Sequence, residues 1–407
     1  MLFVLYILVF FLLFGPKVGE LDFISVFSLV TLVFIKTRIK FLAYFLLLAI
    51  YATVVILVNE SYATQYIFTA KFYRVLLNVL GVIGLFQLFD KSKITSHEII
   101  NIICTCIAIH GAIMFLEVLI PKFHEIIISL SGDRRGFRVS GLTAGFGTTS
   151  ILMCFPIIVY LVDLILVNES RKYHGIKVLL CVLGLIGSGR IGPYLMLVIL
   201  PLILFIICVL SYKLVIKTRL IYIVFVIFIV STLSLILAYG LYVKNDFIMD
   251  LIGRDSLIRL VLQSMLEPLI SLFKDNTFDS RTSSEFSEMS FLYFNSTIFE
   301  VLFGSGWSGR YDEFMYLQTD IGYALYFSFF GVIGLLFCLL TYIYPICLYR
   351  KIYAKYYYYL LFITLLTVLG NYKQVMLYSR NLFSLQIMLT LIVLGFKGRY
   401  DAKIHNQ

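Results

Sequence analysis

The chain has 407 residues, of which 61% are hydrophobic and only 14% are charged, and its mean hydropathy is +0.98. A soluble core cannot bury that much apolar surface, so the composition predicts a polytopic membrane protein. The net charge of +10 does not indicate nucleic-acid binding, because the cations lie in short clusters between apolar runs. Those runs are long and continuous rather than alternating, which favours an all-α protein over a barrel.

In chain order, the apolar runs predict about twelve transmembrane helices. The first run, Leu2–Phe14, lacks a preceding basic segment and a small-residue cleavage site, so we expect a span rather than a cleaved signal peptide. The spans divide the chain into helices one to nine (1–243), a large polar loop (244–319), and helices ten to twelve with a short tail (320–407). Their approximate bounds are 1–15, 21–35, 41–58, 72–89, 98–120, 141–167, 176–188, 192–212, 220–243, 320–349, 356–371 and 381–396.

Lysine and arginine set the expected orientation. Cytoplasmic loops of membrane proteins are enriched in these residues, so basic clusters in every second connection place both termini in the cytoplasm. Acids such as Glu20, Asp22 and Glu60, and the loop 244–319, then lie on the external side. The basic segments are 36–40, 91–93, 171–177, 213–219, 350–355 and 397–403.

The loop 244–319 is too polar to lie in lipid and too long to be a simple turn. The apolar residues of 255–274 follow a helical period, which predicts an interfacial amphipathic helix kinked at Pro268. After a polar patch, a second helical run extends from Met289 to Phe303 and ends at Gly304. The loop has no cysteine. All seven cysteines lie in apolar runs and are expected to be small buried side chains, namely Cys104, Cys106, Cys154, Cys181, Cys208, Cys338 and Cys347.

Three arginines occupy predicted external positions. Arg138 precedes span six, Arg190 lies in a glycine-rich turn between spans seven and eight, and Arg281 lies in the polar patch of the loop. One interpretation is that each cation only snorkels to the interface. The other is an anion site, because each guanidinium binds two oxygens in a fork and several together suit a diphosphate. The neighbouring Arg134 and Arg135 are interpreted as ordinary solvated charges.

Acidic and glycine residues supply further candidates. Asp320 opens span ten, where it acts either as a general base or as a first-turn acid favoured by the helix dipole. Glu117 and Asp163 lie near span ends, where snorkelling is expected. The segment 304–309 matches G-x-G-x-x-G, but no strand precedes it, so a helix-ending turn is favoured over a phosphate nest. No metal or cofactor is predicted, because the histidines are scattered at His97, His110, His124, His174 and His405.

Short local patterns carry a family resemblance. Residues 138–142 read Arg-Val-Ser-Gly-Leu and residues 188–190 read Ser-Gly-Arg. Beyond the loop, residues 303–307 read Phe-Gly-Ser-Gly-Trp, residues 320–323 read Asp-Ile-Gly-Tyr, and residues 330–334 read Phe-Gly-Val-Ile-Gly. In order and placement these resemble the bacterial Wzy-type O-antigen and capsule polymerases, which are related to the O-antigen ligases. That family also has about twelve spans and one large external loop late in the chain.

The resemblance implies metal-independent glycosyl transfer at the external face of a bacterial inner membrane. The donor would be a growing glycan on undecaprenyl diphosphate, and the acceptor a single lipid-linked repeat unit. Expected partners are these lipid-linked oligosaccharides, membrane lipids and a chain-length regulator protein. The implied site comprises Arg138, Arg190 and Arg281 as the diphosphate clamp, Asp320 as the base, and Gly304, Gly306 and Tyr323 as further substrate-binding residues.

Other functions remain open on the sequence. An O-antigen ligase would use the same donor, but that family depends on a histidine in or near the large loop, and residues 244–319 contain none. A flippase or a twelve-span symporter commonly shows internal repeats and charges near the membrane midplane, which this sequence lacks. A cell-wall polymerase of the rod-shape type shares fewer of the features.

Overall fold

The computed structural model describes residues 2–18, 21–34, 40–58, 65–131, 139, 141–143, 146–164, 172–188, 297–305, 322–348, 354–372, 377 and 379–393. These residues form helices and connecting turns, apart from a two-residue antiparallel pairing of β1 (Lys17–Val18) with β2 (Leu21–Asp22). The predicted all-α class is therefore confirmed for the described part of the chain.

The helices follow the predicted spans closely. Each predicted span outside 192–212 and 220–243, which lie beyond the described residues, coincides with a helix. Two helices in the described part are long and apolar enough to cross a membrane, Ser96–Leu119 and Gly322–Cys347. The count of twelve spans stays a prediction. In chain order the helices are α1 (Leu2–Phe14), α2 (Phe23–Leu32), α3 (Lys40–Val58), α4 (Gln65–Lys91), α5 (Ser96–Leu119), α6 (Pro121–Ser131), α7 (Phe146–Val162), α8 (Lys172–Gly187), α9 (Ile298–Phe303), α10 (Gly322–Leu348), α11 (Ala354–Gly370) and α12 (Arg380–Val393).

The chain forms two compact units. The first unit comprises Met1–Cys106 and Arg281–Gln407, and the second comprises Ile107–Ser280. In the first unit α4 packs against α2, α3 and α12, while α10 packs against α3, α9 and α11. In the second unit α7 packs against α8.

Small residues let α2 and α4 approach closely in the first unit. A methyl carbon added to Gly81 would lie 2.6 Å from the Ser28 Cα, and one added to Gly84 would lie 2.0 Å from the Thr31 carbonyl oxygen. The Ser28 hydroxyl donates to the Asn78 side chain at 3.1 Å across the same crossing. Close backbone approach with an interhelical hydrogen bond is typical of helix pairs in membranes, where the hydrophobic effect does not drive association.

Two Phe-Gly sequences pack against each other where α9 meets α10. Gly304 follows α9 with φ 87° and ψ 158°, and Gly331 interrupts α10 with φ 66° and ψ −171°. Both conformations are accessible almost only to glycine. A methyl carbon on Gly331 would lie 2.5 Å from the Gly304 nitrogen. The kink in α10 therefore leaves room for the backbone at Gly304, which follows α9.

A tyrosine of α3 completes this junction. The Tyr51 hydroxyl lies 3.1 Å from the Phe303 carbonyl oxygen and 2.9 Å from that of Phe330. These carbonyls belong to the end of α9 and to the kink of α10, where helical hydrogen bonding stops. One hydroxyl proton is shared between the two acceptors, so Tyr51 links three helices.

A charged pair joins the N-terminal ends of α2 and α12 in the first unit. Arg380 opens α12 and donates to the carboxylate of Asp22, which precedes α2 and also accepts from the Ser25 hydroxyl at 2.7 Å. The Asp22 side chain is buried. Burial of a carboxylate is tolerated when it is paired and hydrogen-bonded, so this contact specifies which helix ends meet.

The cysteine prediction holds for most described positions. Cys104, Cys106, Cys154, Cys181 and Cys338 are buried. Cys347, near the end of α10, is exposed, so the prediction of burial is wrong there. An apolar run predicts a helix, but it does not say which face of the helix is covered by neighbours. Cys208 lies outside the described residues.

In the second unit, α5 and α8 cross at two glycines. A methyl carbon on Gly184 would lie 2.8 Å from the Gly111 Cα. After α5, the amphipathic helix α6 buries one face through His124, Ile127 and Ser131. The spans predicted from the sequence include no helix between spans five and six, so α6 was not predicted.

Candidate functional site

The structure describes two of the predicted site residues, Gly304 and Tyr323. The Gly304 N–H donates to the Glu300 carbonyl oxygen at 2.7 Å and ends α9, which confirms the predicted helix-ending turn. The half-buried Tyr323 donates its hydroxyl to the Val368 carbonyl oxygen at 2.6 Å and thereby joins α10 to α11. Their expected roles in substrate binding stay predictions. The other predicted site residues lie outside the described part, namely Arg138, Arg190, Arg281, Gly306 and Asp320.

The loop that follows Arg138 is anchored on α5. The Gly141 N–H donates to Oε2 of Glu117 at 3.0 Å, and the Leu142 N–H donates to Nε2 of His110 at 3.1 Å. Glu117 and His110 lie seven residues apart on one face of α5. Two consecutive backbone amides are thus held by two buried side chains two turns apart.

Gly141 is the residue that allows this contact. Its φ is 63°, which is the left-handed region, and a methyl carbon there would lie 2.4 Å from the His110 Nε2 atom. A side chain at this position would therefore strain the backbone and displace the imidazole. Two residues later, the Thr143 and Thr149 hydroxyls lie 2.7 Å apart and join the loop to the first turn of α7.

The turn that precedes Arg190 is anchored beside the same loop. The Ser150 hydroxyl donates to the Ser188 hydroxyl at 2.9 Å, and the Ser188 hydroxyl donates to the Leu185 carbonyl oxygen at 2.7 Å. A methyl carbon on Gly187 would lie 3.5 Å from Cγ1 of Val139. The end of α8 at Gly187 therefore lies close to Val139.

The sequence relates these described residues to two of the predicted arginines. Arg138 directly precedes Val139, and Arg190 follows Ser188 by two residues. Both arginines lie outside the described residues.

Glu117 and His124 form a buried pair in the second unit. Nδ1 of His124 lies 2.8 Å from Oε1 of Glu117, and the two side chains are only 8% and 1% exposed. The expectation that Glu117 snorkels to the interface is therefore wrong, because its carboxylate is enclosed by polar partners. A signal was present in the sequence for one pair: His110 and Glu117 are seven residues apart in α5, the spacing that aligns side chains along a helix.

The described part of this site supplies anchors rather than reacting groups. Its side chains hold backbone amides and each other, and within the described residues no group of three or more histidine, cysteine, aspartate and glutamate side chains could hold a metal ion. No protein family, curated protein or solved structure matches this chain.

Proposed function

We propose that this protein is a membrane glycosyltransferase of the Wzy type, which polymerises oligosaccharide repeat units carried on undecaprenyl diphosphate. The observation that supports this most is the proximity of Val139 to Gly187 at the end of α8. Val139 directly follows Arg138 and Gly187 precedes Arg190 by three residues, so we assign these two arginines to one site. Gly141 and Ser188, which are near the arginines in sequence, form buried hydrogen bonds.

The proposed reaction needs fixed positive charge more than it needs a reacting side chain. The acceptor hydroxyl forms a bond to the anomeric carbon of the donor, the bond from that carbon to the phosphate oxygen breaks, and undecaprenyl diphosphate leaves. Arg138 and Arg190 would stabilise the negative charge that develops on the leaving diphosphate, each through two parallel hydrogen bonds. A carboxylate accepts the proton of the acceptor hydroxyl, and we assign this role to Asp320.

The proposal includes the twelve-span topology and the bacterial inner membrane. The loop 244–319 and the segments that contain Arg138 and Arg190 lie on the external face, where lipid-linked repeats are exposed after flipping. Both termini are cytoplasmic. Arg281 contributes a further cation from the loop. The large apolar content of the chain and its two membrane-compatible helices are in keeping with this placement.

A deletion strain provides both the substrate and the test. Loss of a polymerase leaves flipping intact, so the strain should display single repeat units on its surface and accumulate lipid-linked repeats. These lipids, extracted and mixed with the purified protein in EDTA, should yield a ladder of polymer lengths on a gel. Arg138→Ala should abolish the ladder, whereas Arg134→Ala, four residues earlier in the same segment, should preserve it.

Three results would contradict the proposal. A deletion strain without single-repeat species indicates a flippase, because flipping itself has then been lost. Transfer of a preformed glycan to a different acceptor, with no ladder from lipid-linked repeats, indicates a ligase. Strict dependence on a divalent ion would show that the assigned arginines do not suffice as the source of positive charge.

A further inference from the structure

The backbone at the end of α9 lies alongside the kinked part of α10. The Ser305 N–H and hydroxyl both donate to the Ser328 carbonyl oxygen, each at 2.9 Å. A methyl carbon on Gly331 would lie 2.5 Å from the Leu302 carbonyl oxygen. The two backbone segments therefore run in opposite directions, because Leu302 meets Gly331 and Ser305 meets Ser328.

This junction lies deep within two predicted spans. Gly331 follows Gly322, the first residue of the membrane-compatible helix α10, by nine residues, which corresponds to about 13 Å along a helix. Tyr51, which contacts both backbones from α3, follows Lys40 by eleven residues and precedes Glu60 by nine. No charged residue lies between Lys40 and Glu60. Since the hydrocarbon core of a bilayer is about 30 Å thick, both spans place the end of α9 near its middle.

The side chains of α9 are apolar except for Glu300, and they are not covered. Ile298 is 82% exposed and Phe299 is 53% exposed, and none of the α9 residues is buried. In water such a surface is unfavourable by about 25 cal/mol per Å², whereas lipid chains are as apolar as the side chains themselves. The part of α10 beyond the kink presents a similar exposed surface, at Val332, Leu336, Phe337, Leu340 and Ile343. The depth of the junction and the apolar surface together point to lipid.

Polar groups at both ends of α9 have partners within the protein. In the first turn, the Thr297 N–H donates to the Glu300 carboxylate at 2.9 Å, and the Glu300 N–H donates to the Thr297 hydroxyl at 3.3 Å. At the other end, the Gly304 N–H donates to the Glu300 carbonyl oxygen. The Phe303 carbonyl oxygen accepts from the Tyr51 hydroxyl. A backbone within a bilayer needs such partners, because hydrocarbon offers no hydrogen bonds.

We propose that residues 298–305 form a membrane-embedded segment whose apolar side chains contact the acyl chains of the bilayer. This inference rests on the proposed topology, in which α3 and α10 span the membrane, and not on the proposed reaction. It refines the placement of the loop 244–319, since this part of the loop lies within the bilayer. Irregular backbone is tolerated at that depth where it packs against protein, and the kink at Gly331 provides that packing for Gly304.

A tryptophan at position 299 reports what surrounds α9. The chain has one tryptophan, so Trp307→Phe removes the background and Phe299→Trp introduces the probe. The full-length protein is reconstituted in vesicles of dioleoyl phosphatidylcholine or of its analogue with bromine at the middle of each acyl chain. Bromine quenches tryptophan fluorescence only over short distances. We expect the brominated lipid to cause a large loss of fluorescence in Phe299→Trp, and the water-soluble quencher acrylamide to cause little.

Two positions in the same background calibrate the signal. Leu336→Trp, at an exposed position of α10, should be quenched by the brominated lipid, and Asp90→Trp, at the exposed end of α4, by acrylamide. Quenching of Phe299→Trp by acrylamide to the extent seen in Asp90→Trp would overturn the inference, because α9 then lies in water. Insensitivity to both quenchers would also overturn it, since another protein surface then covers α9. If Leu336→Trp is not quenched by the brominated lipid, the proposed topology itself fails.

A charge at position 298 gives an independent test should Phe299→Trp fail to fold. In water, an acid in the first turn of a helix is favoured by the helix dipole. Among acyl chains, a carboxylate is costly. Ile298→Asp should therefore lower the thermal unfolding midpoint in dioleoyl phosphatidylcholine vesicles, whereas Ile298→Ala, which removes apolar volume without adding charge, should change it little. An equal or higher midpoint for Ile298→Asp than for Ile298→Ala would place α9 in water.

Discussion

In this apolar chain, single buried polar residues help to specify which helices and loops contact one another. Glu117 illustrates the point, because an isolated glutamate near a span end is expected to reach for water, yet here it is enclosed by His124 and Gly141. A hydrogen bond to a charged group contributes about 1.5–3 kcal/mol, and loss of one partner leaves a costly buried charge. Such a residue fixes one local arrangement where apolar neighbours would tolerate several.

Arg190 allows a residue-scale test of charge geometry. If this side chain only snorkels, lysine should replace it almost without loss. If it grips a diphosphate, Arg190→Lys keeps the charge but loses the fork, and polymerisation should fall by about 2–3 kcal/mol, or roughly 30- to 150-fold. Arg190→Ala should be worse. Polymer length distribution and protein level are measured together, with Arg134→Lys as the control. Full-length polymer from Arg190→Lys at normal expression would return Arg190 to the snorkelling role.

At the scale of elements, the paired Phe-Gly sequences decide how the polar loop rejoins the helices. α9 ends at Gly304, and α10 is kinked at Gly331, where the two backbones pack against each other. The Tyr51 hydroxyl donates to a backbone carbonyl oxygen at the end of α9 and to one at the kink of α10. Apolar side chains on α9, such as Ile298 and Phe299, are exposed. Gly304 and Gly331 therefore allow the backbones of α9 and α10 to pack closely against each other.

Two glycine-to-alanine changes test the junction. Gly331→Ala adds a methyl group 2.5 Å from the Gly304 nitrogen and forces an unfavourable φ, so it should lower the free energy of unfolding by at least about 2 kcal/mol. Gly175→Ala, in α8, meets no atom within 4 Å and should instead stabilise by about 0.5–1 kcal/mol. Thermal unfolding in detergent measures both. Equal stability of Gly331→Ala and wild type would mean that α9 does not dock at the kink.

At the scale of the whole molecule, the distribution of charge predicts orientation. Asp22 and Arg380 form one ion pair, so the start of α2 and the start of α12 lie on the same side of the first unit. The lysine and arginine pattern independently places both positions on the external face. The ion pair therefore agrees with an even number of membrane crossings between Asp22 and Arg380. The assignment of their common face to the outside stays a prediction.

Reporter fusions test this orientation directly. A reporter that is active only outside the cytoplasm, fused after Ser283, should give a signal, because the loop 244–319 is expected to be external. The same reporter fused after Lys172 should be silent, since that segment belongs to a basic cytoplasmic connection. Exchange of the two signals would reverse the topology and remove Arg138 and Arg190 from the face where lipid-linked repeats are presented.

The sequence by itself determined the helical class, the approximate bounds of most helices and the turn at Gly304. Long apolar runs leave a backbone little alternative to a helix in lipid, and glycine marks helix ends because it adopts backbone conformations that other residues avoid. Only the tertiary structure decided which residues meet: Tyr51 with two distant carbonyls, Asp22 with Arg380, and Glu117 with Gly141. Hydropathy is a property of each segment alone, whereas these contacts depend on how helices cross, and the crossings are set by small residues such as Gly84, Gly111 and Gly184.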